Sequence, residues 1–332
     1  MYRSLSLLLV AASSVVDAHT FIWGVFVNGV DQGTFKGIRI PAYNGGPGLG
    51  GYNNSPVKNL TSLDLRCNVM GDVQAPDTIK VVPGDRLTFD WHHDKRNAAD
   101  DVIAESHHGP SLIYISPDPP TDTSFIKLWH SGLYEQSPFP LPGKWSSTSD
   151  IAKHGGSMNV RIPEGLKAGK YLIRAEMIGL HEGEVSFAKN PRRGAQFYPN
   201  CVQIEVLGDG EVELPVEGVG FPGAYSYEDP GVVYDVYCST ETRTTATVAC
   251  TTTYQIPGPT VWSGAFAETT DVPLGPVTGE TTHVPWSTWI KNSVVTSATY
   301  TDKKSLTIVG TKAYEASWSS VYATPTPGTK RW

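Results

Sequence analysis

Charge is scarce in this chain. Asp, Glu, Lys and Arg make up 18% of its 332 residues, and their balance is acidic, at −7. That excludes the dense basic footprint by which a domain holds nucleic acid. Long apolar runs are missing too. Beyond the N-terminus no segment approaches the roughly 18 to 20 apolar residues that a bilayer span needs, and no hydrophobic C-terminal tail signals a lipid anchor. Nor does any segment carry a long helical period. Cysteine occurs only four times.

What is present points outward from the cell. Residues 1–18 read as a secretory signal, with Arg3 as the positive start and Leu5 through Ala12 as a short apolar run. Val16 and Ala18 are the small residues that a signal peptidase prefers before its cut, so the mature chain is expected to begin at His19. In a secreted setting the four cysteines, Cys67, Cys201, Cys238 and Cys250, are expected to form two disulfides. Asn53 and Asn59 head N-glycosylation sequons, although Pro56 directly follows the first of these.

Apolar residues at 39%, with 33 glycines and 25 prolines, give enough material for a core and many turns. Short strands are predicted at 21–27, 78–82, 86–91, 111–116, 157–162, 169–177 and 203–206, punctuated by Pro-Gly and Gly-Asp pairs. The expected fold is all-β: an antiparallel immunoglobulin-like or fibronectin-like β-sandwich with long loops, such as 42–55. From about residue 265 the composition turns to Thr, Ser, Val, Pro and Lys. The chain therefore divides into a signal (1–18), a sandwich domain (19–264) and a low-complexity tail (265–332), expected to be disordered. A small carbohydrate-binding module is the competing reading of that tail, since Trp286, Trp289 and Trp318 could stack on sugars.

Chemistry gathers at four separated places. After cleavage His19 would offer its amine and a ring nitrogen in one chelate, and an α-amine, with a pKa near ~8, deprotonates more readily than a lysine. His107-His108-Gly109-Pro110 precedes an apolar run and can put an imidazole on the rim of a sandwich. His92-His93 looks similar and is read as a pair of solvated loop histidines. His181 follows another predicted strand. Gln196 and Tyr198 lie two apart in Gly-Ala-Gln-Phe-Tyr-Pro-Asn-Cys, so both face one side of an extended segment. Taken singly, each of these residues fits an ordinary structural role as well.

Their order on one secreted, β-rich chain resembles the fungal lytic polysaccharide monooxygenases of auxiliary activity family 9, formerly grouped with glycoside hydrolases. The likeness extends through Asp64-Leu65-Arg66-Cys67-Asn68, Val82-Pro83-Gly84-Asp85, Tyr171-Leu172-Ile173-Arg174, Asp229-Pro230-Gly231 and Ile256-Pro257-Gly258-Pro259. It covers roughly residues 19–264 and leaves the tail uncovered.

The resemblance implies one copper ion per chain, held by the amine and ring of His19 and by His107, with Tyr198 as a distant axial partner. It implies His181 and Gln196 as outer groups that contact the oxygen co-substrate, dioxygen or hydrogen peroxide. Tyr237, and more weakly Tyr43, match sugar-stacking positions on the exposed face. It pairs Cys67 with Cys201, which leaves Cys238 and Cys250 to pair by parity. The expected reaction is oxidative cleavage of cellulose or a related β-1,4-glucan by a monomer fed by an extracellular electron donor. The sequence shows no pair of carboxylates in the acid and nucleophile contexts that glycoside hydrolysis needs. A non-catalytic copper-binding or polysaccharide-binding relative is the alternative. Ala175, in place of a histidine in some relatives, and the stretch 182–193, which reads as longer than usual, depart from the pattern.

Overall fold

The computed structural model describes residues 19–41, 54–239, 244–266 and 275–277, together with the backbone of 297–302 and 305–310. Two sheets form the body. The smaller has four strands in the order β10-β5-β1-β2, from β1 (Phe21–Val27), β2 (Val30–Thr34), β5 (Arg86–His92) and β10 (Ser157–Arg161). The larger runs β3-β12-β11-β6-β7, from β3 (Ile38–Arg39), β6 (Ser111–Pro117), β7 (Ile126–Ser131), β11 (Gly169–Gly179) and β12 (Gln196–Val206). Its sixth strand, β4 (Ile79–Val81), lies parallel to β12, and the other pairings are antiparallel. A short pair, β8 (Leu133–Glu135) with β9 (Lys144–Trp145), leads into one π-helical turn, Ser146–Ile151.

Alternation explains which face of the small sheet is core. In β5, Leu87, Phe89 and Trp91 point inward and meet Phe21, Trp23 and Val25 of β1, and across the gap Ile113, Ile115, Ile173, Met177, Val202 and Ile204 of the large sheet. The large sheet is covered on its other face as well. Leu112, Tyr114, Leu172, Ile178 and Phe197 pack there under Phe221, Tyr225, Val232 and Tyr234 from the long C-terminal loops. Burial on both faces is why β6 and β11 read as nearly continuous apolar runs rather than as alternating ones.

The C-terminal cover continues to residue 265. Lys127 Nζ donates to Pro257 O at 2.8 Å, Trp262 N donates to Lys127 O at 2.9 Å, and Trp262 and Ala265 pack against the core. Beyond it, among the described residues, β13 (Ser297–Asp302) and β14 (Ser305–Gly310) pair only with each other, and most of the tail, including Trp286, Trp289 and Trp318, lies outside the described residues. Both disulfides form, Cys67 with Cys201 and Cys238 with Cys250. The first ties the short helix α1 (Asp64–Cys67) to β12. Among the described residues no helix is long and apolar enough to cross a membrane.

The outer face of the small sheet holds a buried charge cluster. Arg96, fully enclosed, reaches Asp90 of β5 at 2.8 Å and Asp31 of β2 at 2.6 Å. His92 Nε2 stands 2.8 Å from the other oxygen of Asp90. This corrects the expectation for the first histidine pair: His92 is 3% exposed and structural, and His93 caps the loop through Asp101 at 3.1 Å.

Candidate metal centre

One end of the large sheet gathers the residues singled out from the sequence. β11 and β12 pair from Gly169↔Val206 to Gly179↔Gln196, so His181, two residues past the end of β11, comes level with the start of β12. The segment carrying His107 folds onto the same end. Leu180 N donates to His108 O at 2.8 Å and Ile178 N to Pro110 O at 3.0 Å. Gly109 makes this approach possible, because a Cβ there would lie 1.8 Å from Ile178 O. Ser147, from the π-helical turn, fixes the segment from behind, its Oγ donating to His107 O at 2.8 Å.

His19 reaches the same place from the opposite sheet. Its strand is hung on β12 by a buried bond in which Ile22 N donates to Asn200 Oδ1 at 3.2 Å. Two residues before Asn200, Tyr198 therefore faces both rings, 6.4 Å from His19 and 5.9 Å from His107 between ring centres. The ring of His181 lies 4.0 Å from that of His107.

Polar contacts fix the orientations. His107 Nδ1 lies 3.2 Å from Ser106 Oγ, which leaves Nε2 as the ring nitrogen that could hold a metal. Tyr198 donates its hydroxyl hydrogen to Gln196 Oε1 at 2.7 Å. Gln196 Nε2 lies 3.2 Å from His181 Nε2 and donates to Glu182 Oε2 at 3.1 Å. Burial pushes the His107 imidazole down to about 2, with repulsion from His181 and His19 adding to it. Burial likewise lowers His181 to about 3, assisted by the charges of Lys58 and Arg193. Both rings are thus neutral at ordinary pH, the form in which imidazole binds metal.

This donor set fits copper in one specific way. Two neutral imidazoles and a phenol, with no thiolate, suit a tetragonal nitrogen-rich cupric site rather than magnesium or calcium. Yet no group of three or more His, Cys, Asp or Glu among the described residues could hold a metal through side chains alone. A further donor could come from the main-chain nitrogen of His19, which is a peptide nitrogen while Ala18 precedes it and would be an amine if the bond after Ala18 were cut.

Of the other expected residues, Tyr237 sits beside the site, its ring 6.0 Å from that of His108 and its hydroxyl donating to Ser106 O at 3.4 Å. The Cys238–Cys250 bridge adjoins it. Asn59 is exposed, and its Oδ1 accepts from Thr61 N and Oγ1 at 3.0 and 2.9 Å. Tyr43 and Asn53 lie outside the described residues. Sequence reasoning missed Glu182, Lys58 and Asn200. The first adjoins His181 and could have been noticed, whereas nothing local marks the other two.

A family model for Auxiliary Activity family 9 (formerly GH61) matches residues 19–245. A family 9 lytic polysaccharide monooxygenase B from Emericella nidulans is 40% identical over 265 residues, 78% of this chain and 64% of its own length. A lytic polysaccharide monooxygenase A from Schizophyllum commune is 39% identical over 256 residues, 76% of this chain and 92% of its own. This chain thus spans less than two thirds of the first of these relatives and most of the second. Among solved structures, CvAA9A superposes with a TM-score of 0.62 at 34% identity, over 75% of this chain and all of that one. The extended catalytic domain of H. jecorina LPMO9A follows at 0.55 and 26%, over 80% of this chain and all of that one.

Proposed function

This chain belongs to Auxiliary Activity family 9, and from that premise we propose that it is a secreted, copper-dependent monooxygenase that oxidatively cleaves cellulose or a related β-1,4-glucan. The observation that carries the reading is the convergence of His19 and His107 on Tyr198 at one end of the sandwich. It draws support from a family match that begins at His19, the residue a signal peptidase would leave first. On this reading residues 1–18 are removed, 19–264 form the catalytic domain and 265–332 form a tail.

His19, through its released amine and its ring, and His107, through Nε2, would hold the ion, with the Tyr198 hydroxyl as a further oxygen donor beside them. When bound, copper supplies the one-electron reduction of dioxygen or hydrogen peroxide that permits oxidation of a C–H bond at the glycosidic linkage, the electrons coming from an external donor. The protein's part is to position and to shield. Burial keeps His107 unprotonated even in acid, so that its nitrogen remains a ligand. Tyr198 gives its only proton to Gln196, which leaves its oxygen lone pairs turned elsewhere. Gln196 and His181 form the polar wall that would contact the oxygen co-substrate. Tyr237, on the loop stapled by Cys238–Cys250, would offer a ring to a sugar. Asn59 would carry a glycan.

The test uses mature protein, with its N-terminal residue verified, on swollen cellulose with copper and ascorbate. Oxidised oligosaccharides should form with the wild type and not with His107→Ala. Their absence from the wild type, or equal yields from the two, would overturn the assignment, as would a first residue other than His19.

A further inference from the structure

A carboxylate that the copper chemistry does not itself require stands directly against the outer pair. Glu182 Oε2 accepts from Gln196 Nε2 at 3.1 Å and from Lys58 Nζ at 2.9 Å. Lys58 is 10% exposed and also reaches Arg192 O at 3.4 Å. Arg193 approaches the other oxygen of Glu182 at 3.8 Å, and Gly194 N donates to the Glu182 carbonyl at 2.9 Å. The carboxylate is thus gripped from the segment at 58 and the segment at 192–194 alike.

The two ends of a glutamine amide have the same shape and opposite hydrogen-bonding roles, so their assignment rests on the partners. One end of Gln196 faces the Tyr198 hydroxyl at 2.7 Å, and a hydroxyl serves equally as donor or acceptor. The other end faces both His181 Nε2 and Glu182 Oε2. An ionised carboxylate only accepts, so the end that faces it must be the NH2. Reversing the amide would set two acceptors against each other in a half-buried site. The NH2 in turn only donates, so His181 Nε2, 3.2 Å away, must present its lone pair. The ring proton of His181 then sits on Nδ1, which is buried with no hydrogen-bond partner among the described residues. A proton on Nε2 would oppose two donors.

We propose that Glu182 is a positioning residue that locks the Gln196 amide and, through it, holds His181 as its Nδ1–H tautomer. The consequence deepens the proposed function and rests on it: in the resting site Gln196 is the hydrogen-bond donor, and His181 Nε2 presents a lone pair to it rather than an N–H.

The experiment compares the wild type with Glu182→Gln, which keeps the shape of the side chain and lets position 182 accept or donate. Long-range proton–nitrogen correlation spectra of copper-free mature protein, labelled with ¹⁵N-histidine, read the tautomer of each ring directly. His181 should be Nδ1–H in the wild type and shift towards Nε2–H in Glu182→Gln, while the His107 signals and the melting temperature stay in place. With copper restored at one ion per chain, turnover should fall roughly 10-fold to 100-fold, as changes beside ligands commonly produce, with the substrate KM unchanged. A wild-type His181 protonated at Nε2, or a tautomer unaltered by Glu182→Gln, would overturn the proposal. If the wild type released no oxidised sugar while the tautomer behaved as expected, the proposed function would fall and the role of Glu182 would stand.

Discussion

The chain contains the dipeptide His-His twice, and the two copies do opposite work. At the end of β5, His92 is buried against Asp90, a carboxylate already held by Arg96, which also binds Asp31. Four residues before β6, the ring of His107 has no carboxylate at hydrogen-bonding distance among the described residues and stands among His181, Tyr198 and the His19 ring. A histidine beside a carboxylate commits a ring nitrogen to that contact, whereas one crowded by other imidazoles under burial stays neutral and keeps a lone pair. The environment, rather than the dipeptide, decides which one is suited to bind a metal.

The widest separation should appear in copper affinity. His107→Ala should lose more than the ~100-fold that neighbours of a ligand can account for, while His92→Ala should still bind one ion, both read by titration calorimetry of mature protein. Equal losses would erase the distinction. Next comes the charge cluster: Arg96→Met leaves Asp90 and Asp31 buried without their cation and should cost ~3–5 kcal/mol in denaturant unfolding, with copper stoichiometry still at one.

A pH scan sharpens the contrast further. The unfolded chain protonates His107 and His181 near ~6.5, but the folded chain resists until about 2 and about 3. The unfolded state therefore binds more protons below that point, and stability is fully present above ~6.5 and lost as the pH falls. The slope should reach up to ~1.4 kcal/mol per pH unit for each ring. Melting of copper-free protein from pH 7 to 4 should follow it, and His181→Ala should flatten it. The smallest effect belongs to His93→Ala. Its partner Asp101 is 50% exposed, so the loss should stay below ~1 kcal/mol in the same unfolding assay.

Much of the fold could be read from local pattern. β1 coincides with its predicted span, and β5, β6 and β10 differ only by a residue or so at an end. β12 was legible only in its second half, because Pro199 and Asn200 sit at its middle and proline lacks the N–H of a central strand. Here Pro199 lies opposite Glu176, and the ladder continues on both sides of it. The short strands β2, β3, β8 and β9 escaped notice, being two to five residues long and without a clear apolar alternation. β7 went unread as well, although most of it is buried.

The same division holds at the site. The sequence by itself determined the inventory: a histidine behind a cleavage signal, His107 before a strand, His181 after one, and Gln196 and Tyr198 two apart. Residue identity and short spacing carry that much, because strand periodicity dictates which neighbours share a face. Tertiary structure alone decided that Asp31 and Arg96 close over Asp90 beside His92, while His107 stands clear of any carboxylate. It alone suspended β1 from Asn200 and brought Lys58 and Arg193 to grip Glu182. The Ile22–Asn200 and Lys58–Glu182 contacts join residues 178 and 124 positions apart, and the others depend on which loop covers which face. They are set by the packing of whole sheets, and no local run of residues encodes that packing.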